Sequence, residues 1–503
     1  MYGPVHRPVR GNPYADPQRS RGRPAVVAGA VLAALLLIGG GVFLVTRGED
    51  GGGDQAEATR TPSPRASAEG DAKPARPEPS ASAPDHWAKD VNADRKPGEA
   101  KVWRALNTGA VPGNGASLHD VWTVGDTVVQ AGYKDITAYR ASDGSTAWSV
   151  EMPNKICDTP VNPTPDGKIV VAYQNGKNDR ARCGQLQMID LRTGDKGWHK
   201  ELTEHSTLDS TIIVHLAISK DTVLVGQNMV AYAYRVSDGK RLFTSKKEFK
   251  GSCYPNDVAG GTRLLEIDNC GISAPKPYDQ LKEIDPRTGH VKWRYVGKKG
   301  WYIEKVYSVD PIVITVKNRE DMDRWSVVAV DGRGKERSTL KFGSYPFERC
   351  DGSGDSGEGA QNCAGAAVGT DRFYLATKPK GGLLGANKVV AFDLDSGKVK
   401  WASGSGSYQL MPLRAEGAGK KAKVVTYARA ATGKAGRTVR FGPRGGEPEV
   451  LLKHPASAAK VESGMYASTT LYRDGRFFVA PSRLDGDSYD DDAERSRLLS
   501  IGR

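Results

Sequence analysis

The sequence predicts an all-β protein, an eight-bladed β-propeller tethered to one N-terminal transmembrane helix. Three observations carry this. One short phrase recurs along the chain about every 50 residues. The two ends of the repeat array each lack what the other supplies. A single long apolar run stands near the N-terminus, ahead of everything that repeats.

The apolar run is Ala25 to Val45, "AVVAGAVLAALLLIGGGVFLV", with no charged residue. Its 21 residues are long enough to cross the hydrocarbon core as a helix. Arg7, Arg10, Arg19, Arg21 and Arg23 precede it against one acid, Asp16. This bias expects residues 1–24 to be a basic cytoplasmic tail and the rest to lie outside the cytoplasmic membrane. A cleaved signal peptide fits less well, because the run is long for its apolar region and no small-x-small site follows. The first cysteine is Cys157, so no lipobox is present. "GAVLA", Gly29 to Ala33, is a small-xxx-small match that would let two such helices pack.

Residues 46–96 follow, rich in Pro, Ala, Ser and Gly with mixed charges. Such a composition buries almost nothing, so an extended, disordered linker is expected. The chain carries a net charge of +13. Outside the tail this charge is dispersed, without a basic run or interleaved aromatics, so nucleic acid is not an expected partner.

The repeats occupy 97–503. Aligned on their final aromatic, they read "AYRASDGSTAW" at 138–148, "MIDLRTGDKGW" at 188–198, "AYRVSDGKRLF" at 233–243, "EIDPRTGHVKW" at 283–293 and "AFDLDSGKVKW" at 391–401. Weaker copies start at Ala329 and Arg440. Each follows a β-branched or alternating run, so each is a strand–turn–strand hairpin. Gly144, Gly194, Gly239, Gly289 and Gly397 are placed to supply a positive φ at the turn. Asp190, Asp285 and Asp393 are placed to accept from its backbone N–H groups. The closing aromatic offers a flat apolar surface to the next unit. About four strands per 50-residue period is the pattern of a propeller blade.

Seven full units are countable. The chain ends on a strand, "SRLLSIGR", with no aromatic strand after it, and begins with "KVWRAL" around Trp103 with no strand before it. Together they complete an eighth blade, and pairing them removes the exposed sheet edges. The wide gap between Asp331 and Asp393 reads as an insertion inside one blade.

The phrase A-x-D-x-x-T-G-x-x-x-W resembles the tryptophan-docking repeat of PQQ-like (quinoprotein-type) eight-bladed propellers. Ala391, Asp393, Gly397 and Trp401 match it, with Ser396 in place of Thr. The resemblance covers roughly 97–503. It implies two classes of function. One is the quinone-dependent dehydrogenases, which hold pyrroloquinoline quinone and Ca²⁺ on the propeller axis. The other is non-catalytic scaffolds and sensors of the BamB-like kind, here in a membrane-anchored form.

Adjacent cysteines, expected beside a quinone in the first class, are absent. The six cysteines fall instead as local pairs without CxxC spacing, as exported proteins use them. The expected disulfides are Cys157 with Cys183, Cys253 with Cys270 and Cys350 with Cys363. Other motifs are weighed and set aside. "GDSG", Gly354 to Gly357, is read as a disulfide-closed loop, since no protease histidine segment precedes it. "DGDSYDDDAE", Asp485 to Glu494, departs from a calcium loop at Tyr489 and is read as a solvated connection. His199, His205 and His215 lie near Glu201 and Glu204 without a zinc or triad pattern.

No catalytic, cofactor-binding or metal-binding residue is therefore assigned, and neither PQQ nor Ca²⁺ is expected. The expected function is a non-enzymatic binding platform in the cell envelope, engaging an envelope protein or a small extracellular ligand. A PQQ-dependent dehydrogenase and an extracellular sensor signalling through a cytoplasmic partner are the alternatives.

Overall fold

The computed structural model describes residues 86–503 apart from 108, 110, 179, 249–251, 348–358, 362, 383, 384, 466, 467 and 485–494. The expected tail, membrane segment and most of the linker lie outside the described residues. Among the described residues no helix is long and apolar enough to cross a membrane.

Among the described residues, eight four-stranded antiparallel sheets form the propeller. In chain order they are blade 1 (121–151), blade 2 (156–201), blade 3 (214–245), blade 4 (253–296), blade 5 (301–339), blade 6 (366–403) and blade 7 (410–453). Blade 8 takes three strands from 468–502 and its fourth, Lys101–Leu106, from the start of the array. Lys101 pairs with Gly502, Trp103 with Ser500 and Ala105 with Leu498. The closure expected from the two ragged ends is the closure observed. A two-stranded ribbon, Ala116–Ser117 with Arg483–Leu484, adds a second tie between the chain ends.

Each phrase is a hairpin between the third and fourth strands of its blade. Gly144, Gly194, Gly239, Gly289 and Gly397 have φ between +65° and +76°. The acids accept from the turn as expected: Asp190 from Arg192 N, Asp285 from Arg287 N, and Asp393 from Ser396 N, at 2.9–3.0 Å.

The glycine has a second duty. A Cβ built on Gly144 would lie 2.5 Å from the Trp103 ring, and one on Gly289 2.5 Å from Phe243. Gly239 stands so against Trp198, and Gly334 against Trp293. The aromatic closing one blade thus lies flat on the turn of the next, in space a side chain would fill. Two indoles also donate across this seam, Trp103 Nε1 to Ala141 O at 2.9 Å and Trp198 Nε1 to Val236 O at 2.7 Å.

The strand order gives the disc two unlike ends. The turns joining strands one to two and three to four lie at one, the turn end. The turns joining strands two to three, and the links between blades, lie at the other, the connection end. The two disulfides Cys157–Cys183 and Cys253–Cys270 form as expected, each within one blade and at the connection end. Cys363 is also disulfide-bonded, while Cys350 lies outside the described residues.

Two features differ from the sequence reading. The insertion after Asp331 does not interrupt a blade: blade 5 closes at Thr339 and blade 6 opens at Ala366, so it is an inter-blade connection. The gap reads as internal in the sequence because blade 5 ends without an aromatic to mark its last strand. Second, helix His86–Ala93 lies within the stretch assigned to the linker. Its only strongly apolar side chains are Trp87 and Val91, four residues apart, and Val91 is buried against Leu452 and Val461. One helical stripe of two residues does not stand out from a polar composition.

Substituting Gly289 and Gly98 by Ala separates the glycine's two duties. Gly98 also has positive φ (+83°) but nothing within 4 Å of a Cβ. Gly98→Ala is expected to cost about 1–2 kcal/mol of backbone strain, and Gly289→Ala about 1–3 kcal/mol more through overpacking against Phe243. Denaturant unfolding of both variants measures the difference.

Candidate binding face and axial funnel

The innermost strand of each blade lines the propeller axis, the place where a ring of sheets leaves room for a ligand. Part of this funnel is filled by the chain itself. The connection between blades 5 and 6 sends Gly359–Gln361 along the inner strands of blades 3, 4 and 5. Gln361 makes a reciprocal pair with Gly260, accepting from its N–H at 2.7 Å and donating to its carbonyl at 3.0 Å. Lys305 Nζ donates to Gly359 O at 2.9 Å and Val306 N to Ala360 O at 2.8 Å. Ala360 is buried with Ile303, Val306 and Ile314. Gly359 passes so close to His215 and Asp257 that a Cβ there would lie 3.1 Å from His215 Nδ1.

Beside this strap lies an acidic neighbourhood. Burial, then the nearby Asp120 carboxylate, push the Asp158 carboxyl well above the usual range; an N–H bond from Leu216 at 2.6 Å opposes them and Asp257 adds to them. Thr159 donates to Asp120 at 2.9 Å. These carboxyls are spoken for by hydrogen bonds and a held proton rather than arranged around a cation. Among the described residues no group of three or more His, Cys, Asp or Glu converges on a metal-sized site.

The histidines weighed from sequence do not come together as a site. His199 lies on the outer strand of blade 2 against Gln185, at 2.7 Å. His205 contacts Asp209 in the next connection, at 3.1 Å. His215 is on the inner strand of blade 3. The "GDSG" and "DGDSYDDDAE" segments lie outside the described residues.

Two buried polar networks escaped the sequence reading. In blade 7, His454 is held at 2.7 Å from Glu462 Oε1 and 3.0 Å from Thr438 Oγ1, and Tyr427 OH donates to the same Glu462 oxygen at 2.7 Å. The Thr–His–Glu order imitates a nucleophile relay, yet Thr438, His454 and Glu462 are at most 2% exposed and no substrate can reach them. The network anchors helix Ala459–Gly464 in the seam between blades 7 and 8.

In blade 4, Lys282 Nζ lies 2.6 Å from Glu266 and 2.8 Å from Asp268, all three buried. One lysine can compensate only one of two carboxylates here. Burial and the Glu266 charge, opposed by Lys282, push Asp268 up to about 8. Neither network has a sequence signature, because its members are brought together by strand register.

Residues 88–248 match the family profile described as outer membrane protein assembly factor BamB. The match covers part of the chain, whose fold over the described residues is an eight-bladed β-propeller. BamB from Moraxella catarrhalis aligns over 80% of this propeller chain and 98% of its own, with 13% identity and a TM-score of 0.44. A quinohemoprotein alcohol dehydrogenase from Pseudomonas putida aligns over 80% and 75%, with 12% identity and a TM-score of 0.42. A computationally designed protein, Ika8, covers 79% of this chain with all of its own length, at 11% identity and a TM-score of 0.46. No curated protein matches the sequence.

The Asp268 carboxyl predicts a pH dependence. Its pKa is raised on folding, so the folded chain binds the extra proton. The stability it contributes is present at acid pH and is lost as pH rises from 3.8 toward about 8. Asp268→Asn keeps the shape and removes the titration. Melting temperature against pH should fall less steeply for the variant than for the parent across that window.

Proposed function

We propose that the chain is a non-enzymatic, membrane-anchored extracytoplasmic propeller that serves as a binding platform for another envelope protein or a small ligand. The observation that carries this reading is the strap. Gly359–Gln361 occupies part of the axial funnel itself, held by four hydrogen bonds to blades 4 and 5. The repeat residues themselves are committed to turns and seams. What remains free to vary is the connection end, where the loops are longest and the disulfides sit. Stapled loops on a rigid sheet scaffold are preorganised for recognition. The expected anchor over residues 25–45 and the extended linker after it would hold this platform on the outer face of the cytoplasmic membrane.

Two measurements test the reading. The full chain is titrated with pyrroloquinoline quinone, with and without Ca²⁺, following quinone absorbance and thermal shift. No saturable binding is expected at high micromolar quinone; Ca²⁺-dependent saturation would overturn the platform reading in favour of alcohol or sugar oxidation. In cells, a photocrosslinker at Lys378 or Ser407, on the connection end, should give discrete protein adducts. One at Arg333 or Asp395, in turn-end hairpins, should give none.

A further inference from the structure

The link between blades 2 and 3 buries polar side chains and exposes apolar ones. Asp209 and Thr211 are buried and hydrogen-bonded, while His205, Ser206 and Thr207 stay exposed. Glu204 accepts from Thr211 N at 2.7 Å and from its hydroxyl at 2.5 Å. Asp209, 3% exposed, caps the short helix Thr207–Asp209, accepting from Ser206 N at 2.8 Å and His205 N at 3.0 Å. Burial pushes this carboxyl up, but the N–H bonds from His205 and Ser206 outweigh it and hold the pKa at about 2. Tyr232 OH and Gln227 Nε2 tie the same residue to blade 3.

Leu202 is buried, but three aliphatic side chains point outward. Leu208 is 46% exposed, Ile212 66% and Ile213 50%. Their backbone groups are fixed, Leu208 N donating to Ser206 Oγ and Leu208 O accepting from Met229 N, so water meets three bulky aliphatics on a rigid support. A basic hairpin backs them. Cys183 N donates to Thr211 O at 2.9 Å, and Arg182 reaches Ser210 at 3.0 Å and Glu204 at 3.4 Å. The Cys157–Cys183 disulfide fixes this hairpin to the inner strand, and the exposed Lys177 and Arg180 lie on it. The connection end continues the pattern on blade 4, where Ile272 and Val296 are exposed among Lys276, Lys298 and Lys299. Blade 5 breaks it: Met322 stands among Glu320, Asp321 and Asp323.

We propose that the connection end of blades 2 to 4 docks on an anionic lipid bilayer, with Leu208, Ile212 and Ile213 inserting at the headgroup–acyl boundary. Protruding aliphatics flanked by cations match an interfacial anchor, in which apolar burial and attraction to anionic headgroups act together. A protein partner fits this patch less well, because protein hot spots favour Trp, Tyr and Arg seated in pockets. The inference goes beyond the platform reading and does not need it.

The test uses the full chain with vesicles of phosphatidylcholine alone or with about 30% phosphatidylglycerol. Backbone amide exchange is followed in peptides covering 202–213. The expected result is about tenfold slower exchange there on the anionic vesicles, with peptides from blade 6 unchanged. An anchor at 25–45 would hold the chain on both vesicle types alike, so the comparison reads the loop. Ile212→Ser combined with Ile213→Ser alters only exposed positions; it should return exchange to the zwitterionic value while the melting temperature stays that of the parent. Equal exchange on the two vesicle types would overturn the proposal. So would slowing that appears without lipid and grows with protein concentration, which would make a second copy the occupant, or slowing that the double substitution leaves in place.

Discussion

The structure depends on one contact repeated around a ring: the closing aromatic of a blade lying on the turn glycine of the next. The contact joins two requirements that would otherwise be separate. The hairpin needs a residue with positive φ, and the seam needs a place where a large ring can approach the backbone. Glycine alone meets both, which is why Gly144, Gly239, Gly289 and Gly334 carry positive φ and an aromatic within 3 Å of a notional Cβ. A four-stranded sheet alone leaves an apolar face to water; burying an aromatic against each neighbour couples adjacent blades. Closure by Lys101–Leu106 then leaves no sheet without a neighbour.

Two seams do without the aromatic, and both are where the chain departs from its repeat. Blade 5 ends at Thr339, whose carbonyl crowds Gly397, and the seam is polar: Arg337 with Asp395 at 2.7 Å and Ser338 with Leu394 O at 2.7 Å. The start of the long connection compensates by laying Phe342 and Phe347 beside Trp325 and Phe392. The same connection goes on to supply the strap in the funnel. Blade 7 ends without an aromatic, and blade 8 has no turn between its third and fourth strands to receive one, because Ser496–Gly502 and Lys101–Leu106 come from opposite ends of the array. There Val91, Val461 and Met465 fill the space between Tyr427, Leu452 and Phe477. Insertions and added helices occupy seams that the repeat leaves underfilled.

The two ends of the disc divide the labour. At one end the hairpins between third and fourth strands are short, and most of them are committed to docking. The connection end carries the long links, both described disulfides and six exposed aliphatic or Met side chains: Leu208, Ile212, Ile213, Ile272, Val296 and Met322. Loop closure over 26 and 17 residues removes loop freedom that would oppose binding. Recognition at this end therefore starts from an ordered surface.

Local chemistry makes the fold legible in the sequence. A turn glycine, a capping acid and a closing aromatic occupy fixed offsets, so the hairpins, their number and the ring closure can be read from spacing. The cysteine pairs can be read too, because each of the described pairs spans one blade. Helix His86–Ala93 cannot, since two apolar residues in a polar stretch gain a partner only when Leu452 and Val461 arrive from the other end of the chain. The strap is equally hidden: "GAQ" has no signature, and only the convergence of Gly260, Lys305 and Val306 gives it a place. The exposed aliphatics are hidden for the opposite reason. Leu208, Ile212 and Ile213 look like core residues in sequence, and only the hydrogen bonding that buries Asp209 and Thr211 turns them out to solvent. What repeats is determined locally and is visible in one dimension; what fills the axis or faces outward depends on residues meeting from distant blades, and tertiary structure alone decides it.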